Sequence, residues 1–337
     1  MRRKRRTIRC GLIGYGGAFN MGLTHGRQIE AVPGLELRAV CDIDPARTAQ
    51  AAEDWPGIET YNDAEEMLEK ADIDLVTVIT PHNSHAELAI LCLNAGKHVV
   101  VEKPMCLTMA EADAMIDAAR KNKVMLSVYH NRRYDGDFMT LLELCRKNIL
   151  GEIFRVEMWH GGFRKPRKDW WRSDKAISGG TFYDWGAHYL DWLLNIVPAR
   201  VETVAGYFQP NILWKDISNE DHVEAIIKFA NGCVANVQFS TVAAIGKPRW
   251  RILGTKGAAQ SEKDHFAVNT EVRGMRASMT VPYRESAWHR YYENIADHLL
   301  RGKELYVKPE EARRVIAIME LAEKSSEQGK PLPMPYD

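Results

Sequence analysis

The sequence predicts an α/β protein in two domains. Residues 1–130 should build a parallel sheet with helices on both faces, and residues 131–337 an antiparallel or mixed sheet with one face free. Three observations carry this. The chain has 337 residues, enough for two domains of about 100–200 residues each. Short apolar runs alternate with helical stripes as far as residue 130, as in a sheet buried on both sides. Beyond about residue 150 the apolar period falls to two.

The strands of the first domain are read from the runs Ile8–Ile13, Leu35–Cys41, 73–80, His98–Val101 and 124–129. Between them, Ala112, Met115, Ile116 and Ala119 recur at helical spacing, and Gly96 closes another helix after Leu88, Leu91 and Cys92. In the second domain Val223, Ala225, Ile227 and Phe229 alternate with more polar residues. Asn231-Gly232 follows, and Cys233, Ala235, Val237 and Phe239 alternate again. Asn-Gly between two such runs signals a hairpin, because both central positions of the turn favour positive φ. Pro309 opens a last helix with the stripe Ala312, Val315, Ile316, Met319 and Ala322, stopped by Gly329. Whether that helix packs back on the first domain is left open by the pattern.

Apolar residues make up 45% and charged residues 27%, with formal net charge zero, so the chain lacks the basic excess of a nucleic-acid wrapper. The run Arg2-Arg3-Lys4-Arg5-Arg6 reads as a solvated tail rather than an export signal, since the apolar stretch behind it is short and enters a glycine motif. The six cysteines show no C-x-x-C spacing, which points to free thiols in a reducing, cytoplasmic setting. No apolar stretch is long enough to span a bilayer.

Gly14-Tyr15-Gly16 directly follows the first strand. The first glycine permits a tight turn. The second lets backbone approach a pyrophosphate that rests on the next helix's N-terminus. The third glycine of the usual pattern falls at Phe19, with Gly17, Ala18 and Gly22 nearby, so the loop is longer or shifted in register. Asp42 closes the second strand, where a carboxylate can accept from ribose hydroxyls and repel a 2′-phosphate. With Ile43 and Asp44 following it, NAD is expected ahead of NADP. Asp42 also reads as a helix N-cap, although Asp44 fits that role better ahead of Pro45.

Lys103, in Glu102-Lys103-Pro104, lies just past an apolar strand, where an open parallel sheet binds its ligands. Its ammonium there can stabilise a developing alkoxide; as a mere surface lysine it would be solvated. If the segment from Tyr183 is helical, Asp184 and His188 share one face, with Asp191 a turn further on. That pair suits acid–base work on a hydroxyl, and it equally reads as an N-cap with an interior histidine, or as a metal pair lacking further ligands. The segment 159–172 is rich in tryptophan and bases. It nominates His160, Arg164 and Trp171, with Tyr183, as substrate contacts, or else two packed tryptophans in a surface loop.

Taken together, several motifs resemble the glucose–fructose oxidoreductase / inositol dehydrogenase (Gfo/Idh/MocA) family. They are Gly14-Tyr15-Gly16, Thr80-Pro81-His82-Asn83-Ser84-His85, Glu102-Lys103-Pro104, His130-Asn131-Arg132-Arg133, Gly179-Gly180 with Asp184-x-Gly186-x-His188-x-x-Asp191, and Gly254-Thr255-Lys256-Gly257. The resemblance implies a Rossmann dinucleotide-binding domain followed by an α+β domain with an open, mostly antiparallel sheet. It implies a catalytic set of Lys103, Asp184 and His188. It places the cofactor against Gly14, Tyr15, Gly16, Gly17, Ala18, Phe19, Asp42, Ile43, Thr80, Pro81, His82, His85, Glu102, Lys103 and Asn131. It further implies hydride transfer to or from a sugar or cyclitol carbinol, and a homodimer or homotetramer paired through the second domain's sheet. Two other readings stand beside it: an NAD-dependent glycoside hydrolase or epimerase using the same residues, and, on the same scaffold, a ligand sensor without catalysis, which need not keep the lysine and histidine that this chain retains.

Overall fold

The computed structural model describes residues 7–336, so the basic run at residues 2–6 lies outside the described residues. The chain forms two units. The first runs to His130 and takes in His289–Arg313; the second comprises Asn131–Trp288 and the chain from Arg314.

In the first unit the strands are β1 (Ile8–Ile13), β2 (Leu35–Cys41), β3 (Glu59–Tyr61), β4 (Leu75–Val78), β5 (His98–Val101) and β6 (Leu126–Val128). The helices between them are α1 (Met21–Glu30), α2 (Pro45–Asp54), α3 (Ala64–Lys70), α4 (His85–Asn94) and α5 (Met109–Asn122). All strand pairs are parallel, in the order β3-β2-β1-β4-β5-β6. The order reverses direction between β1 and β4, and ligands of such sheets bind beyond the strand ends at that switch point. The strand residues Leu12, Val76, Val78, Val99, Val100 and Val101 are buried, which explains their continuous apolar runs. Two elements escape the sequence patterns. β3 has only three residues, too few for a period, and helix Arg290–Arg301 is joined to this unit across a long stretch of chain.

The second unit adds α6 (Gly136–Arg146), β7 (Ile153–Gly161), α7 (Lys175–Ser178), α8 (Thr181–Ile196), β8 (Val201–Pro210), β9 (Glu220–Phe229), β10 (Val234–Ser240), β11 (Trp250–Gly254), β12 (Gly257–Ser261), β13 (His265–Val272), β14 (Met275–Pro282) and β15 (Leu332–Pro333). Nine strands form one sheet in the order β14-β13-β12-β11-β7-β10-β9-β8-β15. It is mixed: β7 and β10 run parallel, and every other pair is antiparallel. The Asn231-Gly232 hairpin joins β9 to β10, with Gly232 at φ +84°. α8 packs on β7, β9 and β10, where Val156, Met158, Ala225, Ile227, Val237 and Phe239 are buried. The alternate residues Arg155, Glu157, Glu224, Gln238 and Arg251 line a polar pocket on the other side of the pleat. Helix Pro309–Gln328 ends before Gly329 at φ +65° and lies so close to β8 that a Cβ on Gly206 would collide with the Ala322 carbonyl.

The cysteines are free and all but Cys145 are buried. Burial pushes the thiols of Cys10, Cys41, Cys92 and Cys145 up to about 12, so they behave as small apolar side chains. No helix among the described residues is long and apolar enough to cross a membrane.

Candidate active site

The glycine loop is longer than the usual pattern, and its geometry says why. Gly14 turns at φ +92° straight after β1, and a Cβ there would stand 2.7 Å from the Ile79 carbonyl oxygen. Gly16 faces open space, with nothing within 4 Å of where a Cβ would be. Asn20 adopts φ 50° and α1 begins at Met21. Close contact between helix and strand end falls to Gly22, where a Cβ would meet the Tyr15 ring at 2.5 Å. Phe19, in the position expected for a third glycine, is exposed instead. Tyr15 itself is buried; its hydroxyl donates to Asp54 at 2.8 Å and accepts from Trp55 Nε1 at 3.0 Å.

Asp42 is not the cap of α2. Asp44 fills that role by accepting from the Ala46 amide at 2.9 Å. Asp42 instead ties β2 to the glycine loop: one carboxylate oxygen accepts from the Tyr15 amide at 2.7 Å, the other from the Asp44 amide at 2.9 Å. Each oxygen keeps a second lone pair for a hydroxyl. Arg47, in the first turn of α2, lays its guanidinium over Gly17, where a Cβ would meet it at 2.5 Å. Ile43 is almost fully exposed beside it. The open space at Gly16, the helix end behind it and the carboxylate at 42 together fit a dinucleotide.

At the ends of β4 and β5 the expected residues divide. Pro81 is exposed and Thr80 half-buried, whereas His82 and His85 are buried. His85 has no accessible surface. Its ring nitrogens lie 2.8 Å from the carbonyl oxygens of Thr80 and Pro104, so it clamps two loops together. In this structure His85 supports the Thr80 and Pro104 loops from within. Lys103 is half-buried and enters the cis peptide Lys103-Pro104; its amide donates to Glu102 Oε2 at 2.9 Å. Glu102 is buried, and its other oxygen lies 3.1 Å from His25 Nε2. Burial pushes the Glu102 carboxyl up, but the hydrogen bond and charge of His25 and the charge of Lys103 outweigh it and hold the group below its ordinary value.

In the second unit Asn131 opens a short 3-10 turn through Tyr134. The next residues lock that turn to α8. Arg133 grips Asp191 through two bonds of 2.8 and 2.6 Å, with both side chains buried, and Trp192 Nε1 donates to the Arg132 carbonyl at 2.9 Å. Asp191 is thus a structural anchor of the helix. The other end of α8 is capped from a neighbouring strand. Glu220 accepts from the Thr181 amide at 3.0 Å and pairs with Lys175 at 2.6 Å. Gly180, at φ +102°, leaves no room for a Cβ, which would lie 2.6 Å from that carboxylate.

α8 presents Asp184 and, one turn later, His188. His188 is buried, edge-on to Trp185 at 5.7 Å and stacked near Trp192 at 6.1 Å. Asp184 is half-exposed and paired with Arg172 at 3.2 Å, and the Arg172 guanidinium lies 4.8 Å over the Trp171 ring. Trp185 gathers the remaining groups: Arg132 sits 4.7 Å above its ring and His160 stacks on it at 4.6 Å. Burial lowers His160 to about 4, with the charge of Arg249 acting in the same direction, so its ring is neutral at ordinary pH. Trp171 is half-buried and Arg164 exposed. Tyr183 is buried, at 2% exposure. Arg172 and Arg132 were not singled out from sequence, although they stand in the Trp-rich basic segment and the Asn131 motif. Among the described residues no three His, Cys, Asp or Glu side chains gather as a metal site would require.

Residues 8–130 match the NAD-binding Rossmann fold of an oxidoreductase family, and residues 143–334 match that family's C-terminal alpha/beta domain. The scyllo-inositol 2-dehydrogenase (NADP(+)) IolW of Bacillus subtilis is 29% identical, over 97% of this chain and 96% of its own. The myo-inositol 2-dehydrogenase of Thermotoga maritima is 27% identical over 95% of this chain and 97% of its own. Among solved structures, the oxidoreductase yvaA from Bacillus subtilis superposes with a TM-score of 0.90 at 27% identity, covering 98% of this chain and 99% of that one. With both domains matched in order and a dinucleotide cradle at the switch point of the first sheet, the chain belongs to the Gfo/Idh/MocA family of NAD(P)-dependent oxidoreductases.

Proposed function

We propose that this protein transfers hydride between NAD(H) and a carbinol or ketone carbon of a cyclitol or sugar. The observation that carries the reading is the pairing of chemistries at two fixed supports. Lys103 sits beside a held carboxylate at the end of β5, and His188 follows Asp184 by one turn on α8. Relatives named as inositol dehydrogenases support the substrate class.

The nicotinamide, when bound, supplies the hydride acceptor or donor. His188 takes the hydroxyl proton in oxidation and returns it in reduction. Asp184, steadied by Arg172, orients the imidazole for this exchange. Lys103 donates to the substrate oxygen while negative charge builds there. Asn131, Thr80 and Pro81 position the cofactor. His160, Trp171, Arg164 and Arg172 offer aromatic faces and donors to a polyol. Asp42 favours NAD, since its carboxylate repels a 2′-phosphate; Arg47 is the nearby group that would soften this preference. Assembly through the free sheet face and residence in the cytoplasm complete the proposal, checked by sedimentation and by cell fractionation.

The test is a panel of myo-inositol, scyllo-inositol, D-glucose and D-glucuronate with NAD⁺ and NADP⁺, read as reduced nicotinamide. Lys103→Ala and His188→Ala should lose at least about 10²-fold in kcat with little change in NAD binding. Near-wild-type turnover in either variant refutes the assignment.

A further inference from the structure

Behind Lys103 lies a buried polar chain that the hydride-transfer reading does not use. His25, on α1, has no accessible surface. Its Nε2 is 3.1 Å from Glu102 Oε1 and its Nδ1 is 2.8 Å from the Tyr292 hydroxyl. The Tyr292 hydroxyl is in turn 3.1 Å from Thr77 Oγ1. Tyr129 closes over the imidazole at 4.3 Å between ring centroids. Five elements meet here: the helix that follows the glycine loop, the ends of β4, β5 and β6, and helix Arg290–Arg301.

The donor directions are constrained. An ionised carboxylate only accepts, so His25 Nε2 carries a proton toward Glu102. Burial holds the Tyr292 phenol well above its ordinary range, so it keeps its own proton. With a neutral ring, Thr77 donates to Tyr292, Tyr292 to His25 Nδ1, and His25 to Glu102. Every bond then points at the carboxylate that accepts the Lys103 amide. If the ring is charged, the Tyr292 proton turns toward Thr77, and donation to Glu102 survives. Polar groups in such a core cost stability unless each is satisfied, and apolar packing would hold these elements together as well. The chain's distinctive product is a carboxylate fixed in place next to Lys103.

We propose that His25 and Tyr292 are positioning residues: through Glu102 they fix the backbone of Lys103, and so the place of its ammonium. This rests on the assignment of Lys103 above and adds two residues distant from it in sequence.

The experiment uses the full chain with NAD⁺ and the most active polyol of the panel above. His25→Leu, which removes the donor to Glu102, should lower kcat by about 10²-fold while the KM for NAD⁺ moves little. Tyr292→Phe, which removes one hydroxyl and keeps the ring, should cost about tenfold. His25→Gln, whose amide can still donate to Glu102, should recover most of the loss. The groups facing the Glu102–His25 pair are Lys103, His85, Tyr129 and Tyr292. Since His25 holds the Glu102 carboxyl down, its loss raises that group. The acid limb of kcat/KM should therefore move to higher pH in His25→Leu and stay in place in His25→Gln. In the protein without cofactor, hydrogen exchange at the Lys103 amide should quicken at least about tenfold in His25→Leu, because its acceptor is no longer held.

Wild-type kcat, acid limb and amide exchange in both His25→Leu and Tyr292→Phe overturn the proposal. Should His25→Leu fail to fold, the same three readings on Tyr292→Phe decide it. Lys103→Ala separates the two ideas. If it is inactive while the chain variants are normal, only the positioning role falls; if it is active, the function reading falls with it.

Discussion

Replacing Arg133 with methionine removes one half of a pair that has almost no contact with water. The side chains of Arg133 and Asp191 are 1% and 2% exposed, and the guanidinium makes two bonds of 2.8 and 2.6 Å to the carboxylate. Methionine fills much of the volume but takes both charge-assisted bonds from the buried Asp191 carboxylate, which costs about 3–5 kcal/mol. For a unit of this size that corresponds to a fall in Tm of roughly 10 °C. The effect should appear in the second unit, because Asp191 anchors α8 and the pair ties α8 to the turn at Asn131. Circular dichroism melts of the wild type, Arg133→Met, Asp191→Leu and the double variant form a complete cycle. The double variant should recover most of the loss, since two apolar residues leave no charge behind. The reasoning fails if Arg133→Met costs less than about 1 kcal/mol, or if the double variant is as unstable as the single ones.

Gly14→Ala and Gly16→Ala should separate folding from binding. Alanine at 14 meets the Ile79 carbonyl at 2.7 Å and a positive φ, so it destabilises the apo protein; alanine at 16 enters open space, leaves the melt unchanged and weakens NAD binding at least about tenfold, as isothermal titration would show. Glu220→Ala strips the cap from α8 and should cost about 1–2 kcal/mol, with activity falling more steeply than NAD affinity. His160 supplies a pH test. Its folded value near 4 lies below the ordinary 6.5, so between those values the unfolded chain binds the extra proton; the stability it contributes is full above about pH 6.5 and is lost as pH falls toward 4. His160→Phe keeps a ring against Trp185 and cannot titrate, so its melt should lose less between pH 7.5 and 5 than that of the wild type.

The parallel sheet, the mixed sheet, the hairpin and α8 were legible because each rests on local periodicity and turn chemistry. The long-range partners were not. Asp42 stands in its expected place, yet nothing local shows that it holds the Tyr15 amide. His25 is one histidine within a helix, and its pairing with Glu102 spans most of the first unit. The Trp-rich basic segment was visible as a composition, but that Arg172 within it meets Asp184 is decided by tertiary geometry.

The displaced glycine of the loop bears on how such proteins are found. Gly22 takes over the contact with Tyr15 that a glycine at position 19 would ordinarily make. A search keyed to fixed intervals between glycines would pass this chain by, although the physical requirement is met. The physical requirement at that point is a bare patch of helix where strand and helix lean together, whatever number of residues leads to it.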